Sequence, residues 1–245
     1  MNSPILVALD LESAEEAIRL ATDLEPVVGG FKIGLELLMG PGPGTIGALV
    51  RLGKPVFVDA KLHDIPNTVR RASRQIGRAG ARWLTVHASG GADQLEAAAE
   101  GLAEGAGVGE AGILAVTVLT SLTDGDLAQT GVTGTAGKQS ARLAKLASSH
   151  GAEGVICSVK ELGVIAEVAP SLVRVTPGIR PAGVGADDQK RVSTPEDAYA
   201  RGADWLVIGR AITRADDPRA SAELINESLT GDSVVYARSQ LNRED

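Results

Sequence analysis

The chain is poor in cysteine, histidine and aromatic residues: its 245 residues include one Cys, three His and only 2% Phe, Trp and Tyr together. A single Cys cannot form an internal disulfide. Cys157 lies in the apolar run Gly154-Val-Ile-Cys-Ser-Val159 and reads as a small buried hydrophobe rather than a nucleophile. No run of about 18 apolar residues is present to cross a membrane. Met1-Asn-Ser-Pro leads straight into a strand-like segment instead of a charged and then apolar signal segment. The protein is therefore expected in the cytoplasm, with no membrane partner. Basic runs are missing as well: the formal net charge is −7, whereas a nucleic-acid groove needs a basic patch, so no nucleic-acid partner is expected.

With 44% hydrophobic residues and so few aromatics, the core must be built from Ala, Val, Leu and Ile, the residues that fill a barrel interior in layers. Short apolar runs recur at residues 5–10, 30–35, 56–61, 83–89, 112–119, 154–159, 173–178 and 205–210. Helical patterns lie between them. In residues 13–24, for example, Ser13 can cap the free N–H groups, with Glu16 three residues on. Strand followed by helix, about eight times, predicts α/β architecture as a single (β/α)8 (TIM) barrel. An open doubly wound sheet would show a Gly-rich first turn, and Leu11-Glu12-Ser13 follows the first strand instead. The barrel is expected over residues 1–229, with a polar, fraying tail over 230–245. Two connections after strands are long, Ser121 to about Gly137 and Arg180 to Thr194. Both would sit at the catalytic face, and their composition suggests mobile segments. The Gly-rich stretch from Gly101 to Gly112 reads as an incidental turn.

Chemistry concentrates after the third strand, in Val56-Phe-Val-Asp59-Ala-Lys61 followed by Leu62-His63-Asp64-Ile65-Pro66-Asn67-Thr68. Strand alternation puts Asp59 and Lys61 on one side, which at the C-terminal end of a barrel strand is the mouth. Burying an ion costs several kcal/mol, so charges clustered there call for a reason beyond stability. The competing reading is a buried ion pair that only fixes strand register. Asp10 ends the first run and Lys32 lies inside the second, so Asp10, Lys32, Asp59 and Lys61 can converge from three successive strands. Taken alone, Asp10 could simply start a helix.

Phosphates often bind a barrel at the loops after the seventh and eighth strands. Those ends read Thr176-Pro-Gly-Ile-Arg180 and Val207-Ile-Gly209-Arg210. Glycine permits close backbone approach, and the two guanidinium groups match a phosphate, although either Arg alone could be a surface charge.

The block Asp59-x-Lys61-x-His63-Asp64-Ile65-Pro66-Asn67-Thr68 resembles the signature of the orotidine 5′-monophosphate decarboxylase family. Likeness extends over roughly residues 4–229, through Ala8-Leu-Asp10, Phe31-Lys32, Leu119-Thr-Ser121, Thr176-Pro-Gly-Ile-Arg180, Gln189 and Ile208-Gly-Arg210. A bare D-x-K-x-x-D would be shared with phosphosugar decarboxylases and aldolases, and the Ile-Pro-Asn-Thr extension is what separates them. The resemblance implies loss of CO2 from orotidine 5′-monophosphate to give uridine 5′-monophosphate in pyrimidine synthesis. It implies that Lys61 protonates C6, Asp59 holds Lys61 beside the substrate carboxylate, and Asp10 and Lys32 bind ribose hydroxyls. It further implies a homodimer in which Asp64 and Thr68 reach into the neighbouring subunit's site. Thr120 and Ser121 would face the pyrimidine, and Arg180, Gln189, Gly209 and Arg210 would hold the phosphate.

No electron-sink cofactor site or metal set is visible in the sequence, since His63, His87 and His150 are dispersed. His63 reads at most as a supporting residue. Neither cofactor nor metal is therefore expected. Two rivals remain: a metal-dependent phosphosugar decarboxylase or aldolase on the same barrel, and a nucleotide-binding barrel without catalysis.

Overall fold

The computed structural model describes residues 3–181 and 193–241. All eight apolar runs form strands: β1 (Ile5–Ala8), β2 (Gly30–Ile33), β3 (Val56–Leu62), β4 (Trp83–His87), β5 (Gly112–Val116), β6 (Ala152–Ile156), β7 (Val173–Thr176) and β8 (Trp205–Ile208). Each pairs in parallel with the next and β8 pairs with β1, closing the sheet into a barrel. Most strands end two or three residues before the apolar run does, because the chain turns outward there into the loops of the catalytic face. β3 alone extends beyond its expected end, to Leu62.

Alternation sorts the strand residues into two cores. One face of each strand packs against the helices, where Val7, Ile33, Val58, Leu84, Ile113 and Ile208 are fully buried. The other face fills the barrel with Leu6, Ala8, Phe57, Trp83, Leu114, Val175 and Val207. Trp83 and Trp205 are the first residues of their strands, and their rings meet edge to face at 5.3 Å. They close the N-terminal end of the barrel, so both tryptophans are spent on one plug. The Trp83 indole N–H is satisfied by Glu153 Oε1 at 3.0 Å.

The helices of the outer ring are α1 (Ala14–Leu24), α2 (Leu35–Met39), α3 (Gly44–Val50), α4 (Pro66–Arg78), α5 (Ala92–Ala106), α6 (Asp124–Gln129), α7 (Ala136–Ser149), α8 (Leu162–Val168), α9 (Pro195–Ala200), α10 (Arg210–Thr213), α11 (Pro218–Ser228) and α12 (Asp232–Leu241). Ser13 caps α1 as expected, its hydroxyl accepting from Glu16 N at 3.4 Å.

Three expectations are corrected. Gly101 and Gly105 belong to α5, and the stretch is not an incidental turn: a Cβ at Gly101 would sit 2.2 Å from the Arg70 carbonyl oxygen, and one at Gly105 2.1 Å from that of Arg74. These glycines let α4 and α5 lie backbone to backbone. The connection after Ser121 is not an open loop. It contains α6, capped reciprocally by Thr123 and Asp126, and has its own small core of Val118, Leu127 and Ala136. Finally, the polar tail forms α12 over Asp232–Leu241. Val234 is buried, and Arg238 donates to the carbonyl oxygens of Tyr199 and Ala203 and to Asp204. The connection from Arg180 falls mostly outside the described residues. Its flanks meet where Arg180 N donates to Ser193 O at 3.0 Å.

Candidate active site

β3 carries the site, and it does so by leaving regular strand geometry. Between Val58 and Leu62 it advances four residues while β4 advances two, from Leu84 to Val86. The excess is absorbed at Lys61, whose φ of +48° makes it the one non-glycine residue with positive φ among the described residues. A left-handed conformation is uncommon for a long side chain and signals strain held in place by its surroundings. The backbone N–H of Lys61 turns to the hydroxyl of Thr85 on β4, at 2.9 Å. The same hydroxyl lies 2.9 Å from Asp59 Oδ1 as its donor.

A chain of alternating charge follows. Asp10 Oδ1 lies 3.0 Å from Lys32 Nζ, Lys32 Nζ 3.7 Å from Asp59 Oδ2, and that same oxygen 2.8 Å from Lys61 Nζ. The side chains of Lys32 and Asp59 are 10% and 14% exposed, and those of Lys61 and Asp10 are 34% and 56% exposed, so the network runs from the barrel interior to its mouth. Burial by itself would raise the Asp59 carboxyl. Lys32, Lys61 and the hydrogen bonds from Lys61 and Thr85 outweigh that and hold it below the usual carboxylate range. Asp59 is thus a charged acceptor with one oxygen directed at two ammonium groups and the other at a hydroxyl.

His63 and His87, dispersed in sequence, come together here with ring centroids 5.4 Å apart, because β3 and β4 are neighbours. Burial, then the proximity of His63 and Lys61, keeps His87 below its ordinary range despite the opposing effect of Asp59. Among the described residues no group of three His, Cys, Asp or Glu side chains is placed to hold a metal ion.

The mouth opens into a cavity of about 530 Å³, lined by Asp10, Lys32, Asp59 and Lys61. Its wall continues through Thr120, Gly178, Arg180, Gly209 and Arg210. Gly178 has φ +79°, and Arg180 is 9% exposed. Eight of the predicted site residues therefore share one cavity. Arg214, absent from the sequence-based expectation, also lines it. Cys157 also contributes to this wall but is almost fully buried, and burial pushes its thiol well above the usual range, in keeping with its role as a hydrophobe.

Three predicted residues lie elsewhere. Asp64, Thr68 and Ser121 are exposed and do not line the cavity. Asp64 is fixed locally: its backbone N–H donates to Gln94 Oε1 at 3.0 Å and its own Oδ1 accepts from Ile65 N at 2.7 Å. Gln94, 1% exposed, also donates to His87 O at 2.8 Å, so its amide fastens the segment after β3 to the end of β4. Gln189 lies outside the described residues.

The family described as Orotidine 5′-phosphate decarboxylase / HUMPS matches residues 3–225, nearly the whole chain. The chain belongs to this family. Among curated relatives of the orotidine 5′-phosphate decarboxylase family, the protein named orotidine 5′-phosphate decarboxylase from Anaeromyxobacter sp. (strain K) is 46% identical over 226 residues, 92% of this chain and 97% of that protein. Its namesake from Paramagnetospirillum magneticum is 46% identical over 233 residues, 94% of this chain and 99% of the relative. The crystal structure of orotidine 5′-phosphate decarboxylase from Lactobacillus acidophilus superposes with a TM-score of 0.83 at 36% identity, covering 94% of this chain and all of that one.

Sequence reasoning missed Thr85 and Gln94. A signal existed for Thr85, the one hydroxyl-bearing residue in the apolar run Trp83-Leu-Thr-Val-His87. Gln94 sits on a helix and carries no comparable mark.

Proposed function

We propose that the protein decarboxylates orotidine 5′-monophosphate to uridine 5′-monophosphate, with Lys61 as the proton donor. The observation that carries this is one cavity lined both by the Asp59–Lys61 pair, whose charged atoms are 2.8 Å apart, and by two arginines, Arg180 and Arg210. A volume of about 530 Å³ suits a mononucleotide. Anchored by its phosphate at the arginines, a nucleotide would present its base to the Asp59–Lys61 pair, with Asp10 and Lys32 beside the ribose.

Loss of CO2 breaks the C6–carboxylate bond and leaves the electron pair on C6, with no adjacent carbonyl to take it up. The barrier to be removed therefore lies toward the upper part of the roughly 8–23 kcal/mol that enzymes supply. Repulsion between the substrate carboxylate and Asp59 is too small for this, since ground-state stress is worth about 1–5 kcal/mol. An ammonium already placed where the carbanion forms contributes more, because its field costs no reorganisation. Lys61 then transfers a proton to C6, forming the C6–H bond of the product, and its amine regains a proton from solvent. Asp59 stabilises the ammonium before transfer and fixes its direction.

Asp64 and Thr68 face solvent in the single chain, which supports a homodimer in which each subunit lends both residues to the other's site. No metal or cofactor is required by this chemistry. Both Asp59 oxygens are engaged by Lys32, Lys61 and Thr85, an arrangement suited to holding ammonium groups rather than a divalent ion. No described helix is long and apolar enough to cross a membrane, which is compatible with action in the cytoplasm.

The test is the fall in substrate ultraviolet absorbance when purified protein meets orotidine 5′-monophosphate, with and without chelator, and the same assay with orotidine. Turnover that survives the chelator and collapses without the phosphate is expected. No turnover would sink the proposal, and chelator-sensitive turnover would favour the metal-dependent rival.

A further inference from the structure

We infer that Thr85 is the positioning residue of this site: a single hydroxyl sets both the Asp59 carboxylate and the left-handed backbone of Lys61. The inference rests on the decarboxylase reading of the same cavity. Thr85 is fully buried on β4 and does not line the cavity, so it acts on substrate only through its neighbours. A threonine hydroxyl has one proton to give and lone pairs to receive. Here the proton goes to Asp59 Oδ1 at 2.9 Å, and a lone pair receives the Lys61 backbone N–H, also at 2.9 Å.

Each of these bonds meets a need created by the irregular course of β3. At φ +48° the Lys61 N–H falls where the register to β4 shifts, and a buried N–H without an acceptor is costly. On the carboxylate, holding Oδ1 fixes rotation about the Asp59 side chain. Oδ2 is thereby left to face Lys61 Nζ at 2.8 Å and Lys32 Nζ at 3.7 Å. A residue needed only to fill this layer of the barrel would be served by valine, which has the same shape without the hydroxyl. The register partner of Thr85 on the next strand, Leu114, is apolar and fully buried.

The decisive comparison is Thr85→Val against Thr85→Ser in the full-length protein. With orotidine 5′-monophosphate, Thr85→Val should lower kcat by about 10- to 100-fold, the scale of one lost hydrogen bond to a charged group, with KM changed less than about threefold. Thr85→Ser should recover most of that loss. The inference is overturned if Thr85→Val keeps kcat within about twofold of the unmutated enzyme, or if Thr85→Ser is damaged as much as Thr85→Val. If Thr85→Val does not fold, Thr85→Ala takes its place. A crystal structure of the folded variant gives a readout independent of turnover. Movement of Lys61 out of positive φ and a longer Asp59–Lys61 contact are expected, and an unmoved pair would contradict the inference. Failure of the unmutated protein to decarboxylate the substrate would instead sink the reading on which the kinetic comparison rests, and the crystallographic comparison would then decide the role of Thr85 by itself.

Discussion

Lys61 Nζ lies 2.8 Å from Asp59 Oδ2, although Lys61 has a backbone conformation that takes it out of regular strand geometry. The two residues thus meet at the mouth through a local departure from the barrel's repeat. Strain at this point is compensated by contacts from β4 and by the ammonium–carboxylate attraction, a pattern common where a functional group must be aimed.

Asp64 is exposed and does not line its own chain's cavity, so subunit exchange should reveal whether it serves a partner. If the protein forms the proposed homodimer, the Lys61→Ala and Asp64→Asn dimers are each expected to be inactive. In a mixed dimer one site collects both defects, while the other combines an intact Lys61 with an intact Asp64. Random exchange makes about half of the dimers mixed, each with one working site, so activity should recover to roughly a quarter of the unmutated value. If mass measurement shows exchange and activity stays at the level of the separate variants, Asp64 works within its own chain.

The α4–α5 contact gives a stability prediction that needs no assumption about chemistry. Gly101→Ala would place a methyl group 2.2 Å from the Arg70 carbonyl oxygen, so the helices must separate. A loss of about 1–3 kcal/mol is expected, the usual scale for overpacking. Gly163→Ala in α8 meets nothing within 4 Å and should be neutral, or stabilising by about 0.5 kcal/mol. Denaturant midpoints check the pair, and equal midpoints for the two variants would contradict the packing account.

His87 should make the folded protein lose stability on mild acidification. Its folded-state value is held below the ordinary one near 6.5, chiefly by burial. Between those two values the unfolded chain binds a proton that the native state refuses. His87 therefore contributes no penalty above about pH 7, and its contribution turns unfavourable as pH falls through the unfolded value. Replacing it by Gln should flatten the fall in stability between about pH 7 and 5. An unchanged pH slope in His87→Gln would rule this out.

How much of this was legible in sequence depends on whether a feature is periodic. The eight strands announce themselves because a sheet covered on both faces needs apolar residues throughout, and runs such as Gly112-Ile-Leu-Ala-Val116 supply them. Asp59 and Lys61 could be placed at the mouth by simple alternation. The route they take there could not be read, because a register shift with one left-handed lysine leaves no mark in the hydrophobic pattern. Thr85 and Gln94 matter through contacts made across 24 and 30 positions of sequence, which only the β3–β4 pairing reveals. Glycines in α5 mislead for a related reason: intrinsic preference argues against a helix there, and the close approach of α4 overrides it. α12 was missed because the polar tail shows little apolar periodicity and is fastened instead by Val234 and by polar bonds from Arg238.

The central claim is that the Lys61 ammonium, aimed by Asp59, carries the chemistry. Its most direct test is the rate of orotidine 5′-monophosphate decarboxylation by Lys61→Ala, measured beside the affinity of the same variant for uridine 5′-monophosphate. Removing the proposed proton donor together with its field should cost roughly 10³-fold or more in kcat. The phosphate contacts proposed for Arg180 and Arg210, which line the same cavity, should keep product affinity within about tenfold of the unmutated protein. Turnover within about tenfold of normal in Lys61→Ala would contradict the account.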